Sequence, residues 1–268
     1  MFRTRLISAF VLVALGLAII IPGGPVLLVS TALISLIGYF ELMRVFKIQG
    51  KAPAVLGYIF TAVYYADIYF KFLKNLELLV ILFLILLLFV YVFTFPKYHA
   101  DGIMASFFGV FYVSVMLSFI YQTRMMNHGL YIVWLIFLCS WGCDASAYVI
   151  GKLFGRHKMA PVLSPKKSIE GAVGGVAGSF LFTLLYGFVF KAQLDVTVGE
   201  IFILCCISSI GALISMVGDL AASAIKRNYD IKDYGHLIPG HGGILDRFDS
   251  VIITAPIIYF LAVYFIRG

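Results

Sequence analysis

Residues 76–95 read almost without a break as Leu, Ile, Val and Phe, and eight further stretches of the chain approach that character. A helix needs about 20 mainly apolar residues to cross a bilayer. Stretches of that kind run over residues 6–22, 25–43, 53–70, 76–95, 103–122, 129–151, 169–190, 199–225 and 250–267. Hydrophobic residues make up 62% of the chain and charged residues 12%, against roughly 45–50% and about 25% in a soluble domain. A water-facing globule is therefore excluded. The expectation is an all-α, polytopic integral membrane protein with about nine transmembrane helices.

The first stretch follows Met-Phe-Arg-Thr-Arg and superficially resembles a signal peptide, but no small-x-small cleavage site follows it. It runs instead into Pro22-Gly23-Gly24-Pro25, a tight turn, and is read as a retained helix. No Pro/Ser-rich linker or low-complexity tail interrupts the chain. Residues 1–268 are expected to form a single membrane domain, in which 1–122 mainly anchor and 123–268 carry the chemistry.

The net charge of +7 could point to nucleic acid, but cytoplasmic loops of membrane proteins collect Lys and Arg as well. With nine spans, fifteen of the twenty basic residues fall on one side and five on the other. That asymmetry places the N-terminus and the two long loops, 152–168 and 226–249, in the cytoplasm, with no nucleic-acid partner. Cys139, Cys143, Cys205 and Cys206 all lie inside apolar runs without metal-ligand spacing, so buried membrane thiols are expected.

Sixteen of the 33 charged residues crowd into residues 144–170 and 219–249. Asp144 and Asp219 stand within or at the end of apolar helices, where an unpaired charge costs about 2.5–3.5 kcal/mol. Small residues flank both, leaving room for close backbones or a ligand. Ser223 and Lys226 follow Asp219 at i+4 and i+7 on one helix face, with Arg227 adjacent. An interhelical ion pair and an anion-binding face both fit this pattern.

The segment Pro239-Gly240-His241-Gly242-Gly243-Ile244-Leu245-Asp246-Arg247-Phe248-Asp249-Ser250 favours the ligand. Gly240, Gly242 and Gly243 let backbone amides approach a ligand closely, and the helix that opens behind them has an N-terminus suited to phosphate. Asp246 and Asp249 lie on neighbouring positions of its first turn, and Arg247 offers a planar fork for phosphate oxygens. In the other loop, Ser164 and Pro165 read as N-cap and first residue of a helix. Lys166 and Lys167 then face either acidic lipid or a triphosphate. Gly171, Gly174, Gly175 and Gly178 overlap as GxxxG spacings, read as helix packing.

The run Ser223-Ala-Ile-Lys226-Arg227, four residues, then Lys232-Asp233-Tyr234-Gly235-His236-Leu237-Ile238-Pro239-Gly240-His241-Gly242-Gly243-Ile244-Leu245-Asp246-Arg247-Phe248-Asp249 resembles the diagnostic pattern of phosphatidate cytidylyltransferases. Asp144, Gly151, Phe154-Gly155, Leu163-Ser164-Pro165-Lys166-Lys167 and Glu170-Gly171 look like the same family, with Ser168-Ile169 where relatives often have Thr-Trp. The resemblance implies a helical homodimer that makes CDP-diacylglycerol and pyrophosphate from CTP and phosphatidate. It implies Mg²⁺, with a second cation such as K⁺, between Asp219 and Asp246, and a bacterial inner membrane as the setting.

On that resemblance, Asp219, Asp246, Asp249, Lys226 and Arg247 are assigned to catalysis, the first two as metal ligands. Substrate binding falls to Asp144, Ser164, Lys166, Lys167, Ser223, Arg227, Lys232, His241, Gly242 and Gly243, with His241 read as a turn residue rather than a base. A CTP-dependent polyprenol kinase would release CDP instead of pyrophosphate. An ion-coupled transporter would use Asp144 and Asp219 near the bilayer midplane.

Overall fold

A computed structural model describes residues 2–240 and 242–265, with side chains from residue 10 onward. The chain is helical with one small hairpin. Its helices are α1 (Phe2–Ile20), α2 (Gly24–Val45), α3 (Ala52–Phe70), α4 (Leu76–Phe93), α5 (Ala100–Gly109), α6 (Met116–Arg124), α7 (Gly129–Phe137), α8 (Cys143–Phe154), α9 (Ile169–Val189), α10 (Lys191–Leu194), α11 (Val198–Asn228) and α12 (Leu245–Phe265). Two π-helical segments, Val110–Val115 and Leu138–Gly142, join α5 to α6 and α7 to α8 into continuous rods.

Among the described residues seven helical rods are long and apolar enough to cross a membrane: Gly24–Val45, Leu76–Phe93, Ala100–Arg124, Gly129–Phe154, Ile169–Val189, Val198–Asn228 and Leu245–Phe265. The protein is an integral membrane protein. The other two expected spans are helical too, as α1 and α3, but are not among the seven.

α11 explains how a charged cluster can end an apolar helix. It opens with a reciprocal cap, Thr197 Oγ1 accepting from Glu200 N–H while Glu200 accepts from Thr197 N–H at 2.7 Å. At 1.5 Å per residue, Asp219 lies about 32 Å beyond Val198, roughly the thickness of the hydrocarbon core. The last turns, bearing Ser223, Lys226 and Arg227, extend past that thickness.

The chain forms two compact units, one of residues up to Ser118 with 233–246, the other of 119–232 with 247 onward. In the first, hydroxyl groups link the helices. Tyr39 Oη meets Ser106 Oγ at 2.8 Å, Ser35 Oγ meets Tyr65 Oη at 2.7 Å, and Thr61 Oγ1 meets Ser114 Oγ at 2.8 Å. These groups are buried, so each needs a partner where water is absent.

In the second unit α8 lies against α9 through glycines. A methyl on Gly175 would stand 2.8 Å from Cys143 Sγ, one on Gly171 2.8 Å from the Ala147 carbonyl, and one on Gly174 2.5 Å from Ile150 Cβ. The expected small-residue packing is present. Cys139, Cys143 and Cys205 are buried thiols, whereas Cys206 is exposed on the outer face of α11.

Candidate functional site

The loop between α8 and α9 folds differently from its sequence reading. Lys158–Ala160 (β1) pairs antiparallel with Ser164–Ser168 (β2), so Ser164 and Pro165 belong to a strand rather than opening a helix. The cap of α9 is Ser168, whose Oγ accepts from Gly171 N–H at 3.1 Å. Hairpin pairing holds 164–168 extended, and the next Ser supplies the cap that Ser164 was expected to give. Glu170 ties the hairpin's approach to α9, accepting from Arg156 N–H at 3.0 Å and His157 N–H at 3.2 Å and meeting His157 Nδ1 at 2.6 Å.

This hairpin presents its two lysines unequally. Lys166 is exposed; Lys167 is half-buried and forms an ion pair with Asp219 of α11. Asp219 Oδ1 also accepts a 3.4 Å hydrogen bond from Ser223 Oγ. A polar cavity of about 320 Å³ opens at this pair, lined among others by Asp144, Lys152, Lys166, Lys167 and Asp219.

Asp144 stands in electrostatic reach of Asp219, Lys167 and Arg247, and its Oδ2 accepts from Ser250 Oγ at 3.4 Å. Asp249 interacts likewise with Asp219, Lys226 and Asp144. Three carboxylates and three cations are thereby assembled from α8, the hairpin, α11 and α12. Gly218 allows it: a methyl there would come within 2.9 Å of the Asp249 carbonyl. Trp141 Nε1 donates to the Arg247 carbonyl at 3.2 Å, while Arg247 Nε is buried with no hydrogen-bond partner among the described residues. Lys226 is half-buried, and Arg227 and Lys232 are exposed.

An apolar cavity of about 680 Å³ lies along α9 and α11, lined by residues such as Val173, Val176, Phe180 and Leu213. It shares Met159 and Ala172 with the polar cavity.

The glycine loop is in the first unit. Ile238 and Gly242 exchange backbone hydrogen bonds of 2.8 and 3.1 Å, closing a turn in which Gly240 and Gly242 take φ of 76° and 87°. Those positive values are why glycine stands there. His241 lies outside the described residues. Asp246, 6% exposed, receives Tyr234 N–H at 2.7 Å and Gly243 N–H at 3.0 Å on Oδ2.

The first amides of α12 were expected to face phosphate. Ile244 N–H and Leu245 N–H donate instead to the two carboxyl oxygens of Glu41, at 3.1 and 2.8 Å. Three amides at this helix start thus serve the protein's own carboxylates. Arg44, one turn further along α2, donates to the Tyr234 carbonyl at 2.5 Å. Sequence reading missed both residues, although Glu41-Leu-Met-Arg44 is an acidic-basic pair at the very end of the second apolar stretch.

Among the described residues no three His, Cys, Asp or Glu side chains form a ready metal cage. Profile comparison matches residues 3–265 to the Cytidylyltransferase family. The chain is 32% identical over 271 residues to a phosphatidate cytidylyltransferase of Staphylococcus aureus, covering 97% of this chain and 99% of the relative. A Staphylococcus haemolyticus protein of that name is 32% identical over 269 residues, covering 97% and 99%. One from Staphylococcus saprophyticus is 38% identical over 152 residues, covering 57% and 56%.

Proposed function

This chain belongs to the cytidylyltransferase family, and from that premise we infer that it transfers the cytidylyl group of CTP to phosphatidate, making CDP-diacylglycerol. It is a nucleotidyltransferase of phospholipid biosynthesis. A phosphate oxygen of phosphatidate attacks the α-phosphorus of CTP, a new P–O–P bridge forms, the bond to the β-phosphate oxygen breaks, and pyrophosphate leaves. The nucleophile is an anion at neutral pH, so no enzyme nucleophile is required. The protein must align two mutually repelling polyanions and neutralise their charge.

The observation that carries this reading is the Lys167–Asp219 pair at the mouth of a cavity lined by Lys152, Lys166 and Asp144. Lys167, Lys226 and Arg247 bind phosphate groups; the buried, unpartnered Arg247 Nε has a hydrogen bond to give. Lys166, Arg227 and Lys232, all exposed, collect the nucleotide from solution. Ser223 and Ser250 orient Asp219 and Asp144.

The donors around Asp219 are carboxylate and hydroxyl oxygens, the chemistry a hard divalent cation such as Mg²⁺ takes. We assign Asp219 to hold it and, on the family resemblance alone, count Asp246 as a second carboxylate of the chemistry. When bound, such a cation neutralises phosphate charge beyond what the side chains supply. Asp144 and Asp249 add negative potential around Asp219.

Phosphatidate is an amphiphile, and the apolar cavity that meets the polar one at Met159 and Ala172 suits an acyl chain. The basic loops face the cytoplasm of a bacterial plasma membrane, where CTP is dissolved, and two copies associate as a homodimer. Purified protein given labelled CTP and phosphatidate should release pyrophosphate and CDP-diacylglycerol. Release of CDP with a phosphorylated lipid would replace this reading by a CTP-dependent kinase.

A further inference from the structure

Glu41 sits in an α-helix whose other buried positions are apolar, small or hydroxyl-bearing, and no part of the cytidylyl-transfer reading uses it. It is 4% exposed. A carboxylate in that setting is costly unless its oxygens are satisfied. Both are: Oε1 takes Ile244 N–H at 3.1 Å and Oε2 takes Leu245 N–H at 2.8 Å. Leu245 N–H is the first amide of α12 and Ile244 N–H immediately precedes it, and neither has a partner within the helix.

Two glycines make space for it. A methyl on Gly243 would lie 2.5 Å from both Glu41 oxygens, and one on Gly235 would collide with Oε1. Neither glycine has a positive φ, so close approach, and not backbone conformation, is what requires them. The loop is gripped at its other end as well, by Arg44 on the Tyr234 carbonyl. Asp246 closes the circuit, joining Tyr234 N–H to Gly243 N–H through one oxygen. α2 thus holds both ends of the segment 234–245, and Asp246 is the next residue.

We propose that Glu41 is a positioning residue for cytidylyl transfer: it fills the amide slot at the start of α12, with Arg44 fixes the 234–245 loop, and so sets where Asp246 stands. The proposal goes beyond the reading above and rests on it, since Asp246 matters to rate only if that chemistry is right. Glu41 does not touch substrate. Its removal therefore acts on the reacting geometry more than on affinity for CTP.

The test compares Glu41→Gln and Glu41→Asp with the unaltered full-length protein in detergent. Glutamine puts an NH₂ donor against an amide donor, whereas aspartate keeps the charge on a shorter arm. Glu41→Gln should lower kcat by about 10- to 100-fold, the scale of a misplacement near 1 Å, with KM for CTP within about twofold. Glu41→Asp should recover part of that loss. Hydrogen exchange without substrate or metal should quicken at the amides of 243–245 in Glu41→Gln and stay unchanged at those of α8 and α9.

Normal kcat in Glu41→Gln overturns the proposal, as does a rise in KM for CTP at constant kcat, or unaltered exchange at 243–245. Should Glu41→Gln fail to accumulate folded, Gly235→Ala, which crowds the same oxygen, must show the same loss of kcat and faster exchange. A Gly235→Ala enzyme with normal kcat also overturns it. An unaltered protein that makes no CDP-diacylglycerol would instead defeat the functional reading.

Discussion

The two compact units solve the same problem, holding helices together in lipid, by different chemistry. In the first, α2, α3, α5 and the π-helical segment that follows it exchange hydroxyl hydrogen bonds, as between Tyr39 and Ser106 or Thr61 and Ser114. In the second, α8 and α9 touch along Gly171, Gly174 and Gly175, where the glycine backbone of α9 meets the Ala147 carbonyl, Ile150 and Cys143 of α8 directly. A hydroxyl pair leaves the helices spaced by side chains; a glycine stripe removes the spacer. The second arrangement brings α8 near enough to α9 and its hairpin for Asp144, Lys167 and Asp219 to share one cavity. The second unit also has a hydroxyl bond, Thr183 Oγ1 to Ser208 Oγ at 2.8 Å, so what sets it apart is the glycine contact of α8 with α9 beside its charges.

Four substitutions press on that contrast, beginning where the effect is greatest. Asp219→Asn should cut CTP-dependent pyrophosphate release by at least about 100-fold, a loss typical of removing one preorganised electrostatic group, while membrane insertion is unchanged. Turnover near that of the parent would remove Asp219 from the chemistry. Gly175→Leu should lower stability by about 1–3 kcal/mol through overpacking and depress activity with it, measured as thermal inactivation in detergent. If the variant were as stable as the parent, the glycine contact would not be what holds α8 to α9.

Val173→Trp fills the apolar cavity and should raise KM for long-chain phosphatidate several-fold, leaving KM for CTP and the use of a short-chain soluble phosphatidate unaffected. Equal effects on both lipids would exclude an acyl chain from that cavity. Tyr39→Phe, in the first unit, removes one hydroxyl bond and should cost only about 0.6 kcal/mol. A loss as large as that of Gly175→Leu would erase the contrast between the units.

Much of the fold is legible because bilayer thickness and helix rise dictate where spans can lie, and residues 76–95 needed nothing else. The cluster was legible where charges broke an apolar pattern, as at Asp144 and Asp219. Two things were hidden. Ser164-Pro165 has helix-start chemistry, yet hairpin pairing with Lys158–Ala160 turned it into a strand, a pairing that the two residues by themselves do not announce. Glu41 was hidden because its meaning depends on Ile244 and Leu245, some two hundred positions away. One acidic residue near the end of an apolar helix reads as interface decoration until the amides it serves are seen.

The ion pair between Lys167 and Asp219 has a thermodynamic consequence. As long as each ion satisfies the other, neither is available to a ligand. An anion that draws Lys167 away leaves Asp219 in want of a positive partner, and a cation that takes Asp219 releases Lys167 to an anion. By reciprocity each raises the affinity for the other by the same factor. On the proposed function, the pair would open most readily to a nucleotide already carrying its cation.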